Sequence, residues 1–160
     1  MNRLDANSIP GIGPLGPAVE RTGIDIDVAG PDRVVGRMPV AGNTQSYGML
    51  HGGVSCVLAE TLGTMGAALH AGPDRRAVGI EINATHHRSV RDGVVTGTAT
   101  ALHRGRSVAS YRIVITDEDD RLVCTARLTC LIRDVGDASH QTGTESPSAG
   151  RPDDGGPITG

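Results

Sequence analysis

Residues 48–70 read GMLHGGVSCVLAETLGTMGAALH, twenty-three positions without a proline and with one carboxylate, Glu60. The stretch predicts a helix over about 51–70. Advancing about 100° per residue gathers Val54, Val57, Leu58, Thr61, Leu62, Met65, Ala68 and Leu69 on one side, the predicted core face. Gly53, Cys56, Glu60, Gly63, Thr64 and Ala67 gather on the other. A solvated helix face is usually charged, whereas this one is small, so it predicts a close neighbour there too.

Working outward, the flanking segments alternate with a period of two. ERTGIDIDVA (20–29) and RVVGRMPV (33–40) read as a strand pair around the turn GPD. The loop AGNTQSYG (41–48) leads into the helix. After it come RAVGIEINATHHRSV (76–90), GVVTGTATALH (93–103), SVASYRIVITD (107–117) and RLVCTARLTCLIR (121–133). The last is the cleanest, with Leu122, Cys124, Ala126, Leu128, Cys130 and Ile132 on one face. RDG, HRGR and DEDD supply the turns. The order is strand, strand, helix, four strands: an α+β domain. One helix covers one face of such a sheet, so a curved antiparallel sheet wrapped around the helix is expected, with a partner subunit on what remains.

Residues 1–17 are rich in Gly and Pro and are expected to be irregular. Residues 134–160 hold almost nothing apolar and are expected to be disordered. The folded domain is then 18–133. The chain has 160 residues, enough for one ordinary domain. Its only aromatic residues are Tyr47 and Tyr111, which argues against a base-stacking nucleic-acid platform. Of the 18 acids and 15 basic residues, all Arg, five acids and one Arg lie in 134–160; the tail carries −4 and the remainder +1. Neither value suits a polyanion surface, so no nucleic-acid partner is expected. Cys56, Cys124 and Cys130 have no metal-ligand spacing and read as reduced thiols. His86-His87 lacks a third ligand, so no metal site is expected. No apolar run approaches about 18 residues and the N-terminus lacks the order of a signal peptide, so no membrane span and a cytoplasmic location are expected.

Glu60 sits on the closely approached face. Its plain alternatives are an Arg partner or solvent; partial desolvation would make it a stronger base or nucleophile. Thr64, one turn on, would orient that carboxylate or a water, or would bond back to its own helix. At the helix start, His51-Gly52-Gly53 leaves N–H groups free, and a carbonyl placed there would have its developing oxyanion stabilised. Gly52 and Glu60 are roughly 12 Å apart along the axis at about 1.5 Å per residue. One helix cannot present both to one carbonyl, which hints at an antiparallel dimer with shared sites.

LHGGVSCVLAET, preceded by TQSYGM and followed by VGIEINATHHRS and LHRGRSVASYRIVITDEDDRLVCTARLT, resembles the hotdog-fold acyl-CoA thioesterases. The branch is that of the PaaI-type and the dihydroxynaphthoyl-CoA or enterobactin proofreading thioesterases. The resemblance covers about 20–133 and implies a sheet of about six strands around one central helix. It implies hydrolysis of an acyl thioester, aromatic acyl groups included, to the free acid and coenzyme A. Glu60 would be the nucleophile or general base. Gly52 would offer its N–H to the thioester carbonyl, Gln45 would help hold it, His51 would lie near the departing sulfur, and Thr64 would assist. For the coenzyme, which is part of the substrate and not a resident cofactor, the resemblance points to Gly79, to His86, His87, Arg88 and Ser89, and to His103, Arg104, Gly105, Arg106, Ser107 and Val108. It also implies a homodimer or homotetramer. Tyr47 departs from the Phe common in relatives. The alternatives are a thioesterase acting on acyl carrier protein and a non-catalytic acyl-CoA-binding hotdog protein.

Overall fold

The computed structural model describes residues 12–136. Helix α1 (Pro17–Thr22) is followed by strands β1 (Asp25–Val28) and β2 (Arg33–Pro39), helix α2 (Gly52–Ala71), and strands β3 (Arg75–His86), β4 (Val94–Arg104), β5 (Val108–Thr116) and β6 (Leu122–Asp134). The strands form one antiparallel sheet in the order β1-β2-β4-β5-β6-β3. The sheet curls around α2, which touches β2 through β6. This is the expected α+β arrangement.

The long strands form as the alternation predicts. In β6, Cys124, Ala126, Leu128, Cys130 and Ile132 are buried and face the helix. The first strand is shorter than expected, because residues 17–22 are helical. Pro17 fits a first helical turn, where its missing N–H is not needed. Gly23, at φ 69°, ends the helix in the left-handed region. Residues 12–16 carry no helix or strand, as expected of the N-terminal segment, but they lie against α2 and are part of the fold. The third expected strand stops at His86, and 87–90 run on outside the sheet. Of the expected tail, residues 137–160 lie outside the described residues, and Asp134 completes β6.

The helix buries Leu58, Leu62 and Met65 of its expected core face but is turned away from the rest of the pattern. Its buried residues include Ser55, Leu58, Ala59, Leu62, Gly63, Gly66 and Ala67. Val54, Val57, Thr61, Ala68 and Leu69 are only half buried. The face built of small residues is therefore partly core, and what approaches it is the chain's own sheet. A Cβ on Gly63 would lie 2.6 Å from Leu128 Cδ2, and one on Gly66 2.7 Å from Tyr111 Cε1. On the opposite flank the roles reverse. Gly36 and Gly97 are register partners on β2 and β4. Together they leave a notch for Leu62, whose methyls lie 2.8 and 2.7 Å from where their Cβ atoms would be. Glycine under a large side chain on both flanks lets helix and sheet approach closely. By length and composition alone α2 is apolar enough to cross a membrane. Here it is the core helix of the sheet, and its glycines and alanines serve that approach.

Candidate active site

The loop before α2 is held from several sides. Asn43 is buried and donates its amide to Thr22 O and Pro39 O, both 2.8 Å. Gln45 N–H donates to Met49 O at 2.8 Å and Gly48 N–H to Gln45 O at 2.9 Å, closing a compact turn around Gln45. Leu50 N–H donates to Val90 O at 2.7 Å, which ties the loop to the segment after β3.

His51 caps α2. Its Nδ1 accepts from Gly53 N–H at 2.9 Å, a side-chain cap on a free helical donor. An accepting Nδ1 places the proton on Nε2, so the ring presents an N–H donor outward. Gly52 follows, with the His86 ring against it: a Cβ at Gly52 would lie 2.8 Å from His86 Nε2. Gln45, Gly52, His86, His87, Arg88 and Ser89 line one cavity of about 380 Å³. Six of the sequence-predicted residues, from three separate segments, thus meet at the N-terminal end of α2.

Glu60 faces elsewhere. It lines a second cavity, of about 480 Å³, together with Thr61 and Thr64. It is exposed in the single chain, where the sequence led us to expect a dry face. No side chain among the described residues bonds to it. Its carboxylate lies beside Gly79 of β3, where a Cβ would be 2.9 Å from Oε1. Gly79, expected against the coenzyme, is therefore what leaves room for Glu60. Thr64 shares this cavity, but its Oγ1 is 4.0 Å from Cys130 Sγ and not bonded to Glu60. Burial pushes the Cys130 thiol up, the Thr64 contact opposes this, and the Glu60 charge adds to it. Cys124, also buried, is pushed up to about 11, mainly by burial. These two are inert core thiols.

The third predicted segment, His103–Val108, forms the β4–β5 turn at the other end of β3. His70 Nε2–H donates to Gly105 O and Arg75 Nη1 to Arg106 O, each at 3.0 Å. The His103 ring folds over Gly105, whose Cβ would lie 2.6 Å from its Nε2. Arg106 and Ser107 share a cavity of about 340 Å³ with Arg75 and Arg133. Arg104 does not join them: its guanidinium pairs with Asp32 at 2.7 Å. Arg75 and Arg133 escaped the sequence reading. They belong to opposite strand ends, β3 and β6, that come together only in the folded register. His86 and Arg75 terminate the same twelve-residue strand. At about 3.3 Å per residue, the two predicted coenzyme patches are therefore separated by up to about 35 Å along β3 in one chain.

A helix wrapped by a six-stranded antiparallel sheet, with one cleft at the helix start and another beside a mid-helix carboxylate, defines a hotdog-fold enzyme. The profile of the thioesterase superfamily matches residues 47–124. The proofreading thioesterase EntH of Cronobacter turicensis is 44% identical over 119 residues, 74% of this chain and 87% of that one. A predicted esterase of Vibrio cholerae is 53% identical over 97 residues, 60% of this chain and 65% of that one. The crystal structure of a thioesterase from Haemophilus influenzae superposes with a TM-score of 0.73 at 40% identity, covering 77% of this chain and 87% of that one. The chain belongs to the thioesterase superfamily and is a thioester hydrolase.

Proposed function

We propose that the protein hydrolyses acyl-CoA thioesters at two equivalent sites, each shared between two copies of the chain. The observation that carries this reading is the separation of Glu60 from Gln45 and Gly52, which open into different cavities of one subunit. Among the described residues β3 is an edge strand, paired only with β6, and it exposes Val78 and Ile80 at 56% and 57%. Such an apolar edge is a template for a second strand. Antiparallel pairing of two β3 strands runs the two α2 helices in opposite directions, turning the Gly52 end of one toward the Glu60 of the other. It also sets the His86 end of one β3 beside the Arg75 end of its mate. Arg88 then joins Arg75, Arg106 and Arg133 around the coenzyme phosphates, for which guanidinium geometry is suited.

In this arrangement Gly52 N–H and the Gln45 amide receive the thioester oxygen. Glu60 takes a proton from water as that water adds to the carbonyl carbon, or its carboxylate adds to that carbon. The C–S bond then breaks, and the His51 Nε2–H faces the sulfur that leaves as a thiolate. On the second route the anhydride left after loss of the thiolate is hydrolysed by water to the free acid. Replacing Glu60 with Gln removes the basic oxygen and is expected to lower kcat by about 10²–10⁴-fold.

The test is complementation. Glu60→Gln and Gln45→Ala are each nearly inactive alone. Co-expressed, they form mixed dimers in which one of the two sites is intact, and random assembly restores about a quarter of wild-type activity. No restoration from demonstrably mixed dimers would place the whole site in one subunit. Turnover of carrier-protein thioesters with none of acyl-CoA would select the carrier-bound substrate instead.

A further inference from the structure

The cavity beside Glu60 is a trough along α2. It reaches from Val57 to Ala68, eleven residues and about 16 Å at the helical rise. Its helix wall carries Glu60, Thr61 and Thr64, all within about one turn. Its opposite wall is the N-terminal strap, residues 12–19, which contributes Ile12, Pro14, Leu15, Ala18 and Val19. None of those side chains can donate or accept a hydrogen bond, and no aromatic ring lines either wall. Val19 is buried and anchors the strap, and Ile24 N–H donates to its carbonyl at 3.2 Å. The trough also accounts for the helix orientation: Val57, Thr61 and Ala68 stay half buried because they face it rather than the sheet.

We propose that this trough is the acyl subsite, and that Ile12, Leu15 and Ala18 of the strap make it selective for unsubstituted hydrocarbon acyl groups. The inference rests on the reading of Glu60 as the catalytic carboxylate. The reacting carbonyl lies at the polar helix wall and the acyl chain runs along the strap. Its volume of about 480 Å³ is in the ordinary range for a small-molecule site. Each methylene buried there raises kcat/KM about fourfold. A hydroxyl carried to the strap wall loses its water and finds no partner among the described side chains of the strap, which lowers kcat/KM by about tenfold or more.

The experiment measures thiol release from a straight-chain acyl-CoA series, and from benzoyl-CoA against dihydroxybenzoyl-CoA. It compares wild type, Ala18→Leu and Leu15→Ser, with thermal unfolding of each as the folding check. Ala18 is exposed, so the larger side chain enters the trough without disturbing the core. Wild type is expected to gain with chain length until the trough is full, and to favour benzoyl over dihydroxybenzoyl. Ala18→Leu adds three carbons and is expected to lower the long-to-short ratio by up to about sixtyfold. Leu15→Ser is expected to raise the dihydroxybenzoyl-to-benzoyl ratio. Hydrolysis of the whole series with a flat chain-length profile, or ratios that both variants leave in place, overturns the subsite and leaves Glu60 untouched. Absence of thiol release from every member overturns the subsite together with the acyl-CoA reading.

Discussion

Replacing Gly79 with Ala separates the stability of this fold from its chemistry. Gly79 sits in β3, and its φ is not among the positive values, so alanine is conformationally permitted. The added Cβ would lie 2.9 Å from Glu60 Oε1 and 3.5 Å from Leu128 Cδ1. The second contact is ordinary, so the strand need not move. The first is too short by about half an ångström, and the carboxylate, at the end of a flexible side chain, is the part that gives way. Glycine within a strand costs conformational entropy, so alanine stabilises by about 0.4–1 kcal/mol and raises Tm by about 2–5 °C. The same substitution displaces the proposed catalytic oxygen. A misplacement of about 1 Å can cost 10²-fold, so kcat for acyl-CoA hydrolysis is expected to fall by about 10–100-fold. Thiol release and thermal unfolding on the same preparation read both effects. A kcat within twofold of wild type, at equal or higher Tm, would refute Glu60 acting from its place beside Gly79. A Tm lowered by several degrees would refute the steric account.

Gly66→Ala is expected to behave in the opposite way. Its Cβ meets the ring of Tyr111 at 2.7 and 2.9 Å, and Tyr111 is fully buried with its hydroxyl donating to Pro31 O at 2.7 Å. The ring cannot retreat, so overpacking of about 1–3 kcal/mol outweighs the helix-propensity gain of about 1 kcal/mol, and the urea midpoint falls. Arg75→Ala and His70→Ala each release one carbonyl of the β4–β5 turn. Each is expected to raise KM for an acyl-CoA several-fold while leaving KM for the matching acyl-pantetheine thioester in place, and equal effects on both substrates would sever the turn from coenzyme binding. Burial pushes the Asp117 carboxyl up, but hydrogen bonds from Arg121 and Asp119 and the Arg121 charge outweigh it and hold it below its usual range. A carboxyl lowered in the folded state stabilises above its unfolded pKa of about 4 and loses that contribution as pH falls through the folded value. Wild type should therefore lose stability on acidification below about pH 4 more steeply than Asp117→Asn, as followed by chemical unfolding across pH.

The strands and the long helix were legible because their patterns are local. In β6 every second residue from Cys124 to Ile132 is apolar and buried, as the alternation predicts, although Leu122, expected on that face, is exposed and Val123 is buried in its place. The orientation of α2 was not, because the helix is apolar nearly all round. Large side chains suggested one face, and Leu58, Leu62 and Met65 of it are buried, but the sheet turns the helix further, to where Gly63 and Gly66 admit Leu128 and Tyr111. Those partners lie more than forty residues away, beyond the reach of periodicity. Helix α1 was hidden under the alternating run that follows it, although Pro17 and Gly23 mark its ends. The residues around Gly52 were readable as one motif, since the loop and helix start are contiguous in sequence. Arg75 and Arg133 were not, because only the β3–β6 register makes them neighbours, and the pairing of Arg104 with Asp32 of the β1–β2 turn likewise has no local mark in the sequence.

The position of β3 has a consequence for how the chain is made. β3 ends at His86, yet the only strand it bonds to among the described residues, β6, begins at Leu122 and is the last of the described strands to be synthesised. While β4 and β5 emerge from the ribosome, β3 has no hydrogen-bonding mate, and the neighbouring flank of α2 is without the Leu128 that fills it. The sheet is complete only once β6 lies between β5 and β3. The nascent protein therefore spends the interval with an apolar helix and an open strand exposed, the kind of species that chaperones engage.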